Sequence, residues 1–195
     1  MEMIGRKMEQ VREALLELKE KLAAERPVSW NEFPDISLYK DQVISYMVRQ
    51  IISFKKDGLI TSAMLNNYIK DKLLPGANGK KYTREHLAGL TEICVLKQVL
   101  SVSDTGQLLK QELENSDPKE FYLKFLYVLD RELAATAEKI DAEWEIETLS
   151  DVALQFAISG YCSKLVCERL LDIIRDKKLR ENKALNGDQK KSDKK

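Results

Sequence analysis

An all-α fold is predicted for this chain, and three features of the sequence indicate it. Apolar residues recur three and four residues apart over most of the 195 residues, which is the spacing of helix faces. Only 4 Pro and 8 Gly interrupt this pattern. With 44% hydrophobic and 33% charged residues, the composition is that of a soluble, helix-rich chain long enough to enclose a core.

Residues 1–25 are predicted to form an N-terminal amphipathic helix with a heptad seam. The seam positions alternate four and three residues apart and are Ile4, Met8, Val11, Leu15, Leu18 and Leu22. Three heptads are marginally stable alone, so the helix either pairs with its copy in a homodimer or packs on its own chain. The pattern leaves both alternatives open.

Residues 26–116 are predicted to form a helix-turn-helix domain. After a proline-flanked linker, Ser37 is predicted to cap a helix that runs to about Lys56, with Gly58 just beyond its end. The next helix is expected after the N-cap Thr61, and Pro75–Gly76 is expected to stop it.

A short basic segment separates that helix from the following one. Asn78–Gly79 is a turn signal, Lys80 and Lys81 follow it, and Thr83 is predicted to cap the second helix. A capped helix, a basic turn and a second helix are the layout of a helix-turn-helix with a small wing, which is either a hairpin or a loop.

Residues 117–179 are predicted to form a C-terminal domain made of a pair of long helices. The first helix is expected from Pro118 to about Glu147, and Ser150 is expected to cap the second, which runs to about Lys178. Gly160 within the second helix is expected to permit a close helix contact or to admit a ligand. The Lys-rich tail, residues 180–195, is predicted to be disordered.

No catalytic constellation is recognisable, so we predict that the protein is not an enzyme and has no metal site and no cofactor. His86 is the only His, and it is expected to face the surface or a phosphate. Three Cys without a short pairing motif suit a reducing compartment, which predicts a cytoplasmic location. No apolar run approaches the length of a membrane span, and no membrane partner is expected.

The polar side of the helix after Thr61, together with the basic residues that follow, is the candidate DNA-binding set. Asn side chains read adenine, while Lys and Arg contact phosphates, although Asn66 and Asn67 can equally bond to the backbone. Residues 61–100 hold six basic against three acidic residues, while the whole chain has a net charge of zero. The predicted set is Thr61, Ser62, Asn66, Asn67, Lys70, Lys80, Lys81, Tyr82 and Arg84.

The same stretch resembles the DNA-binding module of MerR-type transcription regulators. The resemblance covers a Val-Ser-like turn, a core Leu and Tyr, a Leu-Leu-Pro stop, a wing turn and the Leu that opens the next helix. The matching residues are Ile60–Thr61, Leu65, Tyr68, Leu73–Pro75, Asn78–Lys80, Tyr82 and Leu87. The resemblance implies a winged helix-turn-helix core, and double-stranded DNA as the partner.

A more extensive resemblance is to a bacterial family, the domain-of-unknown-function family 1836. Three motifs carry it: Leu-Tyr-x-Asp-Gln-Val at residues 38–43, Met-x-Asn-Asn-Tyr-x-Lys at 64–70, and Lys-Lys-Tyr-x-x-x-His-Leu at 80–87. The similarity extends over roughly residues 30–113. It is specific for the family and implies no activity.

Two functions are therefore expected as alternatives. The first is a homodimeric DNA-binding transcription regulator whose C-terminal helices dimerise or sense a signal. The second is a non-catalytic adaptor that binds protein partners through the heptad helix and the acidic C-terminal half, where residues 101–150 hold twelve acidic and five basic residues.

Overall fold

The computed structural model describes residues 2–52, 54 and 60–192, and side chains of residues 8–180 within those ranges. The all-α prediction is confirmed, since the described chain is helical apart from one two-stranded sheet. Two single 3₁₀ turns lie at Trp30–Glu32 and Ile146–Thr148. The elements are α1 (Glu2–Ala24), β1 (Leu38–Tyr39), α2 (Lys40–Met47), α3 (Ser62–Lys70), β2 (Lys81–Tyr82), α4 (Arg84–Leu96), α5 (Val102–Leu113), α6 (Pro118–Glu138) and α7 (Leu149–Ser192).

The chain divides into two compact units, Met1–Ala153 and Leu154–Lys195. The first unit continues past residue 116, where the sequence predicts a domain boundary, because α6 packs against both α1 and α4. The segment around Pro118 is therefore a helix boundary within one unit. The second unit consists of the remainder of α7.

Helix α4 is the centre of the first unit. Side chains on all of its sides are buried, and α2 and α6 both pack against it. The buried residues of α4 are His86, Leu87, Ala88, Leu90, Thr91, Glu92, Ile93 and Cys94. A helix buried all round needs apolar neighbours on several sides, and Met47, Leu65 and Tyr122 provide them in one contiguous core.

The heptad seam of α1 packs on its own chain from Val11 to Leu22, whereas Met8 of the same seam is 58% exposed. Pairing of the seam with a second copy stays a prediction. Helix α1 packs against α6, and Leu15 is buried. Beyond the end of α6, the Arg12 Nε donates to Glu143 Oε1 at 2.8 Å, and Lys19 Nζ donates to the Ile140 carbonyl at 3.1 Å.

An aromatic cluster attaches the linker to α6. The rings of Phe33 and Tyr122 are 5.2 Å apart, and Trp30 packs against both. The Tyr122 hydroxyl donates to the Val28 carbonyl at 2.8 Å, which satisfies the one polar group of a buried ring.

Helix α2 is shorter than the sequence predicts. Ser37 is not its cap, because Leu38 and Tyr39 are extended and pair with Tyr82 and Lys81 of β2. The helix begins only after Tyr39 and ends at Met47. The expected end near Lys56 and the Gly58 beyond it lie outside the described residues.

Helix α3 ends earlier than the predicted stop at Pro75–Gly76. Its C-terminus is a Schellman motif, in which the Leu73 amide donates to the Tyr68 carbonyl at 2.8 Å and the Lys72 amide donates to the Ile69 carbonyl at 3.1 Å. Lys72 occupies the left-handed position with φ of 60°, where glycine is the usual residue.

The C-terminal helices also differ from prediction. Helix α6 ends at Glu138 rather than near Glu147, and the Asp141 carboxylate accepts from the Glu143 amide at 2.9 Å. Such a side-chain bond to the backbone competes with helix formation. The close helix contact expected at Gly160 stays a prediction, since Gly160 lies in the second unit, whose described residues form a single helix.

Helix α7 extends into the segment predicted to be a disordered tail. It runs to Ser192, whereas disorder is expected from residue 180. The segment lacks Pro and is rich in Lys, with Leu, Ala and Gln, which propagate a helix at low cost once it has begun. Among the described residues, no helix combines the length and hydropathy needed to cross a membrane.

Substitution of Lys72 tests the helix end. Lys72→Gly should raise the free energy of unfolding by about 0.5–1 kcal/mol, because glycine adopts the left-handed conformation without a Cβ clash. Lys70→Gly is the matched control, since it removes the same charge from the last residue of α3. Lys70→Gly should instead lower the free energy of unfolding by up to ~1 kcal/mol, because glycine is unfavourable within a helix. Urea unfolding measures both, and a loss of stability in Lys72→Gly would refute the left-handed assignment.

Glu92 is an ionisable group inside the core. Its side chain is buried on α4, and burial raises the pKa of its carboxyl from 4.5 to about 8. Between pH 4.5 and about pH 8, the Glu92 carboxyl is therefore protonated in the folded state and ionised in the unfolded chain. Burial also raises the pKa of the Tyr122 phenol, and the nearby Glu92 carboxylate raises it further.

The free energy of unfolding should depend on pH through the protonation of the Glu92 carboxyl. The contribution of its protonated carboxyl is complete below pH 4.5 and is lost as the pH rises towards 8. The wild type should lose on the order of 4 kcal/mol from this group across that range. Glu92→Gln, which stays neutral, should flatten the decline in urea unfolding between pH 5 and 8. An identical decline in both proteins would contradict the buried, protonated state.

Candidate nucleic-acid interface

Helix α3 is oriented by its two buried residues. Leu65 and Tyr68 lie in the core, one helical turn apart. The Thr61 side chain caps the helix, accepting from the Met64 amide at 3.2 Å, which confirms the predicted N-cap. Four predicted site residues are consequently exposed on the outer side of α3, and they are Ser62, Asn66, Asn67 and Lys70.

The predicted turn at Asn78–Gly79 is a tight two-residue hairpin turn. Asn78 and Lys81 exchange both backbone hydrogen bonds at 3.0 Å. Gly79 and Lys80 have positive φ of 55° and 72°, as in a type I′ turn. The turn leaves the side chains of Lys80 and Lys81 exposed.

Pairing of β1 with β2 brings this turn beside the start of α2. Lys81 is opposite Tyr39, and its ammonium lies 5.5 Å from the centre of the Tyr39 ring. The next residue, Lys40, donates from Nζ to Asn66 Oδ1 at 2.8 Å. These contacts join α3, the start of α2 and the basic turn in one continuous surface, which we call the α3 surface.

The α3 surface includes two residues that are absent from the predicted set. Tyr39 is exposed and Lys40 is partly exposed, and they link the two predicted groups. Their position depends on a strand pairing with residues far along the chain. The only local signal for them is the Leu-Tyr-x-Asp-Gln-Val motif at residues 38–43, which marks the family and no particular role.

Two members of the predicted set serve the fold instead of the surface. Tyr82 is buried, its ring lies edge-on to His86 at 5.5 Å, and burial raises the pKa of its phenol. Arg84 forms an ion pair with Asp35 and donates to the Phe33 carbonyl at 3.2 Å. These partners hold the Arg84 guanidinium against the linker, so it is not a free phosphate contact.

His86 is also a structural residue, which corrects the expectation of a surface position. Its Nδ1 accepts from the Thr83 amide at 3.1 Å, and its Nε2 contacts the Gly76 carbonyl at 3.3 Å. The ring is buried. His86 therefore caps α4 and holds the segment between α3 and the turn against it.

The described residues contain no group of three His, Cys, Asp or Glu side chains placed to hold a metal ion. Cys94 is buried, and burial raises the pKa of its thiol to about 11, away from the range of reactive thiols. The exposed side chains of the α3 surface are polar, basic or phenolic, and they can form hydrogen bonds and pair with charges.

Comparison with known proteins places the chain in a family. The model of the family described as Domain of unknown function (DUF1836) matches residues 28–128, which span β1 to the middle of α6 and so include the α3 surface. No curated protein and no solved structure is significantly similar to the chain. With more than half of its length matched, the chain belongs to the DUF1836 family.

Proposed function

We propose that this protein is a cytoplasmic transcription regulator that binds double-stranded DNA through a MerR-like winged helix-turn-helix. In this proposal α2 and α3 are the two helices of the motif, α3 enters the major groove, and the turn at residues 78–81 is the wing. The observation that carries the proposal is the α3 surface, in which an exposed polar helix face adjoins lysines from two other elements.

Helix α3 is suited to reading bases. Its buried side anchors it to the core, so that Asn66 and Asn67 project outwards from a rigid element. Asn pairs with adenine through its carbonyl oxygen and its amide together. The Asn66 oxygen is occupied by Lys40 in the structure. On binding, Lys40 transfers to a phosphate and releases Asn66, which couples backbone contact to base reading.

The lysines are suited to positioning the protein on the duplex. Lys80 and Lys81 project from a two-residue turn, which fixes the start of each side chain. Lys-phosphate contacts give affinity and register without sequence selectivity. A helix of nine residues reads few base pairs, so the proposal includes a homodimer that binds two half-sites.

The adaptor alternative has less support in the structure. It requires the heptad seam of α1 as a docking surface, whereas Leu15 of that seam is buried and α1 packs against α6 of the same chain. The acidic half that the alternative also requires, residues 101–150, is partly engaged within the chain, because Glu112, Asp130 and Glu143 form ion pairs with Lys124, Arg26 and Arg12.

DNA binding should depend on the lysines of the turn. Fluorescence anisotropy with a pool of short genomic duplexes should show binding at low salt that weakens steeply as salt rises. Lys80→Glu combined with Lys81→Glu should lower the affinity at least tenfold. It should also reduce the slope of log K against log[salt] by about 2, because two phosphate contacts are lost.

A matched variant separates a local effect from one of net charge. Lys110→Glu combined with Lys119→Glu reverses two exposed lysines on α5 and α6, neither of which belongs to the α3 surface. It changes the net charge equally and should retain most of the affinity. If no duplex binds at low salt, or if both double variants weaken binding equally, the proposal is wrong.

A further inference from the structure

The second compact unit presents an unusually apolar and exposed helix. No charged residue occurs from residue 152 to residue 163, and most side chains of that stretch are exposed. Seven large apolar residues between 154 and 173 are each at least 45% exposed, and they are Leu154, Ile158, Tyr161, Leu165, Val166, Leu170 and Ile173. At 100° per residue all seven fall within an arc of about 180°. We call this arc the α7 stripe.

An exposed apolar stripe of this size is characteristic of an interface. It is about 30 Å long at 1.5 Å per residue, and an arc of about 180° on a helix of about 6 Å radius has an area on the order of 550 Å². Two copies would together remove about 1,000 Å² from water, which reaches the range of specific protein interfaces. The second unit is a single helix, so it contains no other element to cover the stripe.

The spacing of the stripe favours a second copy of the same helix as the occupant. Leu154, Ile158, Tyr161 and Leu165 are four, three and four residues apart, which is an a/d pattern that reads the same in both directions. In an antiparallel pair, Leu154 of one copy lies opposite Leu165 of the other, and Ile158 lies opposite Tyr161. A two-fold interface requires this kind of self-complementary surface.

We propose that the α7 stripe is a homodimer interface in which two copies of α7 pack antiparallel about a two-fold axis between residues 159 and 160. This inference identifies the surface that joins the copies. It rests on α7 alone and does not depend on DNA binding, since the oligomeric state is measured without DNA.

Sedimentation equilibrium of the full chain tests the interface. The wild type should have twice the 22.4 kDa chain mass. Ile158→Glu combined with Tyr161→Glu places charges next to the two-fold axis and should raise the dimer dissociation constant at least 100-fold, because those charges would be desolvated. Both residues are more than half exposed, so the variant should keep its far-UV circular dichroism.

Leu123→Glu is the matched control. Leu123 is 46% exposed on α6, so the change also places a Glu at an exposed apolar position, but it lies outside the α7 stripe, and the dimer should persist. A monomeric wild type would overturn the proposal. A dimer that survives the double substitution at Ile158 and Tyr161 would also overturn it.

Disulfide cross-linking tests the direction of packing. Leu154→Cys and Leu165→Cys are made separately in a chain that also carries Cys162→Ser and Cys167→Ser, while Cys94 is buried. Antiparallel packing predicts a disulfide-linked dimer when the two variants are mixed and little from either variant alone. Efficient cross-linking of each variant with itself would show parallel packing and refute the proposed arrangement.

Discussion

Burial of α4 on nearly all of its sides is the constraint on which the first unit depends. Because α4 has almost no solvent-facing side, other helices must surround it. Helix α2, which precedes α4 in the chain, and helix α6, which follows it, both pack against it. The aromatic cluster around Tyr122 then attaches the linker to α6, and α1 packs against α6. The core accepts an ionisable Glu92 at its centre, which makes its stability sensitive to pH.

The α3 surface follows from the same core. Leu65 and Tyr68 commit one side of α3 to the interior, which leaves Asn66 and Asn67 on the other side. Tyr82 and His86 anchor the end of the hairpin against α4, so that the lysines before them project from a fixed base. Residues that hold the surface in place are thus interleaved in sequence with residues that are free to contact a partner.

Local chemistry made part of this structure predictable. The N-cap at Thr61, the turn at Asn78–Gly79 and the N-cap Thr83 of α4 depend on neighbouring residues, and the sequence located all three. The start of α2 and the roles of Tyr82 and Arg84 depend on distant partners. Arg84 pairs with Asp35, 49 residues earlier, and its charge alone suggested a phosphate contact. The burial of His86 follows from tertiary packing for the same reason, and no local pattern distinguishes it from a surface residue.

The central claim is that the α3 surface contacts DNA, and lysine reactivity tests it at single residues. Amine acetylation followed by mass spectrometry compares the full chain alone with the chain saturated by duplex at low salt. We expect Lys40, Lys80 and Lys81 to become protected, while the exposed Lys110 and Lys119 react equally in both states. Unchanged reactivity of Lys40, Lys80 and Lys81, or equal protection of all five lysines, would contradict the claim.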